Sequence, residues 1–416
     1  MPHTRPNPFA RLAALTCGLL GVSIAWSGAP ASLGAAARAI LGPDQGVYVE
    51  TVDGTLLVSQ AADLPVHPAS VSKIATTLAL LRKFGPEHRF TTLFAATGPI
   101  RDGTLQGDLL VETEGDPYFV DENALLVAQR LRALGIQRVT GTLRTRGALT
   151  FDWDADQDGL RLRKALAGGA PASAWNAVQT LEADSAMQTS APSIQFENKP
   201  SASAASAERP LVEHRSQPLL SLAKSLNDYS NNIFKPFADA AGGAAAVEAL
   251  ARSSVPPSMQ SEITLGDGAG TDPSNRLSPR AAVKLLRVLE RELVARGHAL
   301  VDILPVSGID EGTLRNRLDG PGEAGHVVGK TGTFGDYGAS ALIGAIPSRD
   351  YGTLYFAILD HGVPVATARR RQDRFVRVLL ARFHGEPWHY VPDSQPAVTR
   401  AAAVIVEPSQ APDHAD

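Results

Sequence analysis

Ser70-Val-Ser-Lys73 puts a hydroxyl and an amine three residues apart. A serine hydroxyl is a weak nucleophile near neutral pH and needs a base to take its proton. On a helix, residues i and i+3 share one face a turn apart, so a neutral Lys73 is placed to serve Ser70. The segment reads as a helix start. Pro68-Ala69 leads in, and Val71, Ile74, Leu78 and Leu81 recur at helical spacing until Gly85-Pro86 stops it. Backbone N–H groups and the macrodipole at such a start favour a developing negative charge. The pattern is weak alone. Ser221-Leu-Ala-Lys224 repeats it and reads as an accidental match on a surface helix.

Lys330-Thr331-Gly332 falls on a run, 327–333, that reads as a strand. A strand edge can hold a cation and a hydroxyl against a substrate carboxylate, and Gly332 leaves room for close backbone approach. By itself the tripeptide also fits an exposed strand end. A phosphate loop fails on spacing, because position 324, where its first glycine belongs, is alanine. Ser230-Asn231-Asn232 adds a hydroxyl and an amide two residues apart, a pattern that in isolation fits a helix cap as well. No H-E-x-x-H occurs among the ten histidines, and no G-x-S-x-G is present. In Gly266-Asp-Gly268-Ala-Gly270 the third glycine comes one residue early for a dinucleotide fingerprint.

Positioning these groups falls to elements at both ends of the chain. Residues 46–52 and 55–58 flank Asp53-Gly54 and read as a hairpin with a type I′ turn. Strands are expected over 327–333, 339–346 and 353–359, and a basic amphipathic helix over 366–383. Helices are expected over 122–134, over 219–226, and from Ser278-Pro279 to Gly297, the last with a capping hydroxyl and a first-turn proline. The first hairpin and the last three strands could share one antiparallel sheet, which makes the middle of the chain an insertion. From 165 to 208 the composition collapses into Ala, Ser, Gly and Pro, so that stretch is expected to be mobile or abbreviated. Arg369-Arg-Arg371 reads as a solvated helix face, with an anionic cell-wall polymer as its functional alternative.

The chain has 416 residues, 44% hydrophobic and 20% charged, ordinary for a globular protein long enough for two domains. Its net charge of −4 excludes a nucleic-acid binder by bulk charge. Cys17 is the single cysteine, which excludes an intramolecular disulfide and any Cys-rich metal centre. Arg5 and Arg11, an apolar run at 12–26 and small residues at 27–31 follow the order of a signal peptide. The run is short of the roughly 20 residues that span a bilayer. Export to the periplasm or another extracytoplasmic space is expected, with an uncleaved anchor as the alternative.

S-x-x-K on an early helix, S-x-N later and K-T-G on a late strand resemble, in that order, the signature of active-site serine penicillin-recognising enzymes. Further blocks extend the resemblance. They are Leu105-Gln-Gly-Asp108 with Glu114-Gly-Asp-Pro117, Asp267-Gly-Ala-Gly270 with Asn275-Arg-Leu-Ser-Pro279, and Leu304-Pro-Val-Ser-Gly308 with Gly312-Thr-Leu314. Over 45–150 and 210–385 the chain resembles a low-molecular-mass penicillin-binding protein of the D-alanyl-D-alanine carboxypeptidase/endopeptidase type, peptidase family S13.

The resemblance implies an α/β (α+β) penicillin-binding/β-lactamase-like transpeptidase fold, an antiparallel sheet flanked by helices. That domain is expected over 32–90 and 210–386, after a signal peptide at 1–31 and before a flexible tail at 387–416. A smaller domain is inserted at 91–209, and 165–208 is where the family's longer insertion is shortened. The implied activity is a serine-type D-Ala-D-Ala carboxypeptidase, with endopeptidase action beside it. Ser70 attacks the carbonyl between two D-alanines of a peptidoglycan stem peptide, and Lys73 takes its proton with Lys330 lowering the Lys73 pKa. Ser230 relays the proton to the leaving group, and Asn232 orients Lys73 and the substrate. Lys330, Thr331, Gly332 and Thr333 hold the substrate, with the N–H groups of Ser70 and Thr333 as the oxyanion hole. β-Lactam antibiotics are implied as acylating inhibitors. No metal, cofactor or nucleic acid is implied, and no stable membrane insertion after signal cleavage. Three departures bear on subsite detail: Asn231 where Asp is common, Lys235 where a small residue is usual, and Thr271-Asp-Pro-Ser274 in place of Leu-Ser-Arg. Two other readings stay open. One is a β-lactamase or esterase using Tyr229-Ser230-Asn231, and the other is a non-catalytic cell-wall-binding protein.

Overall fold

The structure, a computed structural model, describes residues 32–181, 190–199, 208–228, 234–336, 338–392 and 405–408. The expected signal peptide at 1–31, Ser230 and Asn232 lie outside the described residues.

Leu33–Leu41 (α1) buries Leu33, Ala37 and Leu41 along one face. Gly46–Thr51 (β1) and Leu56–Gln60 (β2) form the first antiparallel pair. Their connection is not the type I′ turn that Asp53-Gly54 suggests. That turn needs two residues at positive φ, and of the pair only Gly54 has one. Gly54 N donates to Thr51 O at 3.0 Å and Thr55 N to Asp53 Oδ1 at 3.1 Å, which closes a wider loop.

A 3-10 turn at Ala69–Ser72 leads into Lys73–Phe84 (α2), which Gly85 ends with a φ of +82°. There follow Thr91–Ala96 (β3), Leu109–Thr113 (β4), Asp121–Ala133 (α3), Leu143–Arg146 (β5), Ala172–Leu181 (α4) and Arg209–Arg215 (β6). Leu219–Asp228 (α5) comes next, then Pro279–Val294 (α6), capped as expected by Ser278, whose side chain accepts from Ala281 N at 3.1 Å. Val328–Phe334 (β7), Ala339–Ser348 (β8), Gly352–His361 (β9), Val365–Arg382 (α7) and Ile405–Pro408 (β10) complete the order.

The main sheet runs β7-β8-β9-β1-β2, all antiparallel, so both ends of the chain build it. Gly46 pairs with Leu359, and Gly332 with Ala341. Successive side chains point to opposite faces. Val47, Val49, Leu342, Phe356 and Ile358 pack on Leu41 of α1 and on Phe375 and Leu379 of α7. Ile343, Tyr355, Ala357 and Leu359 pack on Ile74 and Leu78 of α2 and on Leu286 and Leu289 of α6. Both faces are covered, which is why these strands read as near-continuous apolar runs rather than as an alternation. The arrangement leaves β7, with the K-T-G run, at the edge of the sheet beside the turn that carries Ser70.

A second sheet runs β10-β6-β3-β4-β5, with the β4–β5 pair parallel. Phe94, Leu109, Val111 and Leu143 pack there on Ala124, Val127 and Leu131 of α3. The stretch expected to be mobile contains α4. Alanine is the best helix former, and here Ala174 and Val178 are buried against Leu125 of α3. The tail expected to be flexible likewise supplies β10, antiparallel to β6. Among the described residues no helix is long and apolar enough to cross a membrane.

Candidate active site

Ser70 is buried in the 3-10 turn ahead of α2, and the residue before it is conformationally unusual. Ala69 has a φ of +48°, a value that costs a residue with a Cβ and persists only where the surroundings enforce it. One brace is His67. Its Nδ1 accepts from Ala69 N at 3.2 Å, its Nε2 lies 3.0 Å from Asp272 O, and its ring stacks on Phe334 of β7 at 4.0 Å. A ring nitrogen that accepts from an amide carries no proton, so this geometry requires neutral His67 protonated on Nε2. Burial lowers its pKa in the same sense.

Two glycines let backbone press directly on Ser70. A Cβ at Gly332 would lie 2.5 Å from Pro68 O and 3.2 Å from Ser70 N. A Cβ at Gly270, where φ is +91°, would lie 2.2 Å from Ala69 O and 2.8 Å from Ser70 N. The Gly270 loop is gathered by the Asp267 carboxylate. It accepts from the N–H groups of Ala269, Gly270, Thr271 and Asp272 and from Asn275 Nδ2, at 2.7–3.2 Å. Burial works to raise the Asp267 pKa, but a bond from the Thr271 hydroxyl, with those from Asn275 and the backbone, holds it down at about 2.

A hydrogen bond of 2.9 Å joins Lys73 Nζ and Ser70 Oγ. Lys73 is fully buried, with Nζ 5.4 Å from the centroid of the Phe234 ring. Burial, and after it the positive charge of Lys330, lowers the Lys73 pKa to about 6, against the pull of Asp267. Such an amine is mostly neutral at pH 7 and able to accept a proton. Lys330 is lowered by burial only to about 8, because the Asp228 carboxylate opposes the shift, so it keeps its charge at pH 7. Two lysines whose environments separate their pKa values divide into a base and a cation.

The rest of the K-T-G-T run is tied to other elements. Thr331 Oγ1 donates to Thr313 Oγ1 at 2.7 Å, and Thr313 N donates to Asp228 O at 2.9 Å. A Cβ at Gly312 would lie 1.9 Å from Asp228 O, so the 312–313 turn clamps the end of α5, two residues ahead of Ser230. Thr333 is exposed, and its Oγ1 accepts from Arg369 Nη2 of α7 at 2.8 Å. Sequence reasoning missed His67, took Thr313 only as part of the Gly312-Thr-Leu314 block, and took Arg369 only as part of a basic helix face. His67, three residues before the nucleophile, carries only its nearness in sequence as a signal.

The second S-x-x-K is not on a surface. Lys224 is buried and bonded to Val301 O at 3.0 Å, Leu304 O at 2.6 Å and Asp310 Oδ2 at 2.5 Å, while Tyr390 donates to the other Asp310 oxygen. A lysine so committed is a structural anchor and is not available to Ser221 as a base.

The sequence profile of the D-Ala-D-Ala carboxypeptidase 3 (S13) family matches residues 34–159 and 173–382. The chain is similar to carboxypeptidase DacB of Mycolicibacterium smegmatis, at 28% identity over 388 residues and 83% of each chain. It is 36% identical to a D-alanyl-D-alanine carboxypeptidase of an Actinomadura species over 98 residues, 23% of this chain and 18% of that one. Among solved structures, a penicillin-G-acylated predatory endopeptidase of Bdellovibrio bacteriovorus superposes with a TM-score of 0.73 at 21% identity, covering 85% of this chain and 96% of its own. Penicillin-binding protein 4 of Haemophilus influenzae gives 0.58 at 16% identity, covering 81% and 95%. At such identities these likenesses speak to the fold, which is the penicillin-binding type expected.

Proposed function

The chain belongs to the D-Ala-D-Ala carboxypeptidase 3 (S13) family, and we propose that it cleaves D-Ala-D-Ala ends of peptidoglycan stem peptides through an acyl-enzyme on Ser70. It is a serine peptidase. The observation that carries the reading is Lys73, with its pKa lowered to about 6 and bonded to Ser70 Oγ at 2.9 Å.

Ser70 Oγ attacks the carbonyl carbon and its proton passes to Lys73 Nζ. The N–H groups of Ser70 and Thr333 stabilise the oxyanion, where loss of one donor costs about 3–4 kcal/mol. The C–N bond then breaks, and the departing D-alanine takes a proton relayed through Ser230, with Asn232 orienting Lys73 and the substrate. Water releases the acyl chain. Lys330, Thr331, Gly332 and Thr333 receive the substrate's terminal carboxylate and backbone. A β-lactam enters the same path and stops at the ester, in line with the penicillin-acylated Bdellovibrio endopeptidase. Cross-linked stem peptides are the substrate for endopeptidase action at the same serine. The basic-apolar-small order of residues 1–31 supports export, with work done outside the cytoplasm.

Labelled penicillin tests the site. Ser70→Ala should abolish covalent labelling, and Ser221→Ala should leave it intact, because Lys224 is committed elsewhere. Labelling that survives the first change and disappears with the second overturns the assignment. Rapid turnover of the β-lactam points to a β-lactamase, and no acylation at all points to a non-catalytic binder.

A further inference from the structure

The basic face of α7 contains one contact that a solvated surface does not call for. Arg369, in the second turn of the helix, donates from Nη2 to Thr333 Oγ1 at 2.8 Å, and Thr333 closes the K-T-G-T run beside Ser70. The helix start is fixed to the same hairpin, since Val365 N donates to Asp336 O at 3.0 Å in the turn after β7. Helical spacing offers Arg369 one carboxylate, Asp373 at i+4, but Arg317 holds Asp373 at 2.6 Å. Among the described residues the Arg369 guanidinium has no ion-pair partner, whereas Arg377 on the same helix is paired with Glu323 at 2.8 Å.

A guanidinium only donates, and a hydroxyl has one hydrogen and two lone pairs. Arg369 therefore occupies a lone pair of Thr333, and the Thr333 hydrogen is left to point at some other acceptor. No described residue accepts it. Thr331 differs, because its hydrogen goes to Thr313 Oγ1. The hydroxyl on this strand that remains available to donate is thus the one backed by a cation.

We propose that Arg369 is a specificity residue for the free carboxylate at the substrate's C-terminus, acting through its charge and by turning the Thr333 hydroxyl into a donor toward that carboxylate. The proposal rests on the carboxypeptidase reading above. Arg369 touches none of the reacting atoms and works through Thr333, which makes it a positioning residue.

The test compares two substrates, Nα,Nε-diacetyl-L-Lys-D-Ala-D-Ala and the same peptide with its terminal carboxylate converted to carboxamide. Wild type should prefer the acid in kcat/KM. Arg369→Ala should reduce that acid-to-amide preference by about tenfold or more, the scale of one charge-assisted hydrogen bond. Arg369→Lys should recover part of it. Thr333→Val should reduce it similarly, and the double variant should be no worse than the poorer single one, because the two residues act as a unit. An equal fall for both peptides marks a merely structural role and overturns the proposal, as does a preference that survives Arg369→Ala or is missing from wild type. Wild type that cleaves neither peptide and takes no penicillin label on Ser70 overturns the carboxypeptidase reading itself.

Discussion

Lys73 and Lys330 are both fully buried, yet one is lowered to about 6 and the other only to about 8. Acylation needs Lys73 neutral and Lys330 charged. The rate of penicillin acylation should therefore trace a bell, rising through pH ~6 as Lys73 loses its proton and falling near pH ~8 as Lys330 does. Lys330→Ala should slow acylation tens- to hundreds-fold through the lost charge-assisted contact. It should also move the acid limb to higher pH, since a neighbouring cation that lowers the Lys73 pKa is gone. An acid limb that stays in place would show that Lys330 does not act on Lys73. Ser70, Lys73 and Lys330 were legible in sequence because S-x-x-K, S-x-N and K-T-G follow one another in that order, although each motif alone is weak. His67 was not, and Thr313 and Arg369 were legible only as part of a family block and of a basic face, without their link to the site. Each acquires its role from a partner remote along the chain, Asp272, Thr331 and Thr333 respectively. Lys224 was misread for the same reason, since nothing near it in sequence announces the buried Asp310.

At the scale of elements, β6 and the β4–α3 connection bury an ionisable pair that the mechanism does not use. His214 Nδ1 lies 3.8 Å from Asp116 Oδ2, and Asp116 Oδ1 accepts from Tyr118 N at 2.8 Å. Burial raises Asp116 to about 7, against the Tyr118 bond, and lowers His214 to about 3. From about pH 4 to 6.5 the unfolded chain protonates the histidine and not the carboxylate, whereas the folded pair does the reverse. The proton counts match, so in this window the pair adds no pH dependence to stability. Asp116→Asn leaves only His214. The unfolded state then binds one proton more than the folded state, and stability falls as pH falls. Urea melts should show the variant losing up to about 1.4 kcal/mol per pH unit relative to wild type between pH 6.5 and 4. Parallel stability curves for the two proteins would sink the argument. Among the elements themselves, β7, β8, β9, α6 and α7 were legible because long apolar runs or strong helical periodicity mark them. The Asp53-Gly54 turn was misjudged, because local turn preference gave way to a wider loop. In α4 an Ala-rich segment resembles low complexity in sequence, and its order comes from Leu125 of α3, against which Ala174 and Val178 are buried.

At the scale of the whole chain, the sharing of one sheet by both ends was legible, and the exact exit of the insertion was not. The expected boundary at 209/210 cuts into β6, which pairs along its length with β3. Hydrogen bonding argues instead for entry after Phe90 and exit before Ser216. Phe90 N donates to Ser216 Oγ and Ser216 N to Phe90 O, both at 2.9 Å, so the two ends meet. Both apolar cores of the main sheet are built without any residue from 91–215. Replacing 91–215 by a short Gly/Ser linker should therefore leave a protein that melts cooperatively. Its chemistry should change nonetheless. Tyr118 and Val120 of the insertion pack in one cluster with Phe234, whose ring faces Lys73. Removing them admits water toward Lys73, and burial is the largest cause of its lowered pKa. The Lys73 pKa should rise, and each unit above 7 cuts the neutral fraction at pH 7 about tenfold. The measurement is the pH profile of penicillin acylation for the excised protein. Its acid limb should move to higher pH while acylation at high pH is largely kept. A non-cooperative melt would refute the independence of the main sheet, and an unmoved acid limb would refute the insertion's part in burying the base.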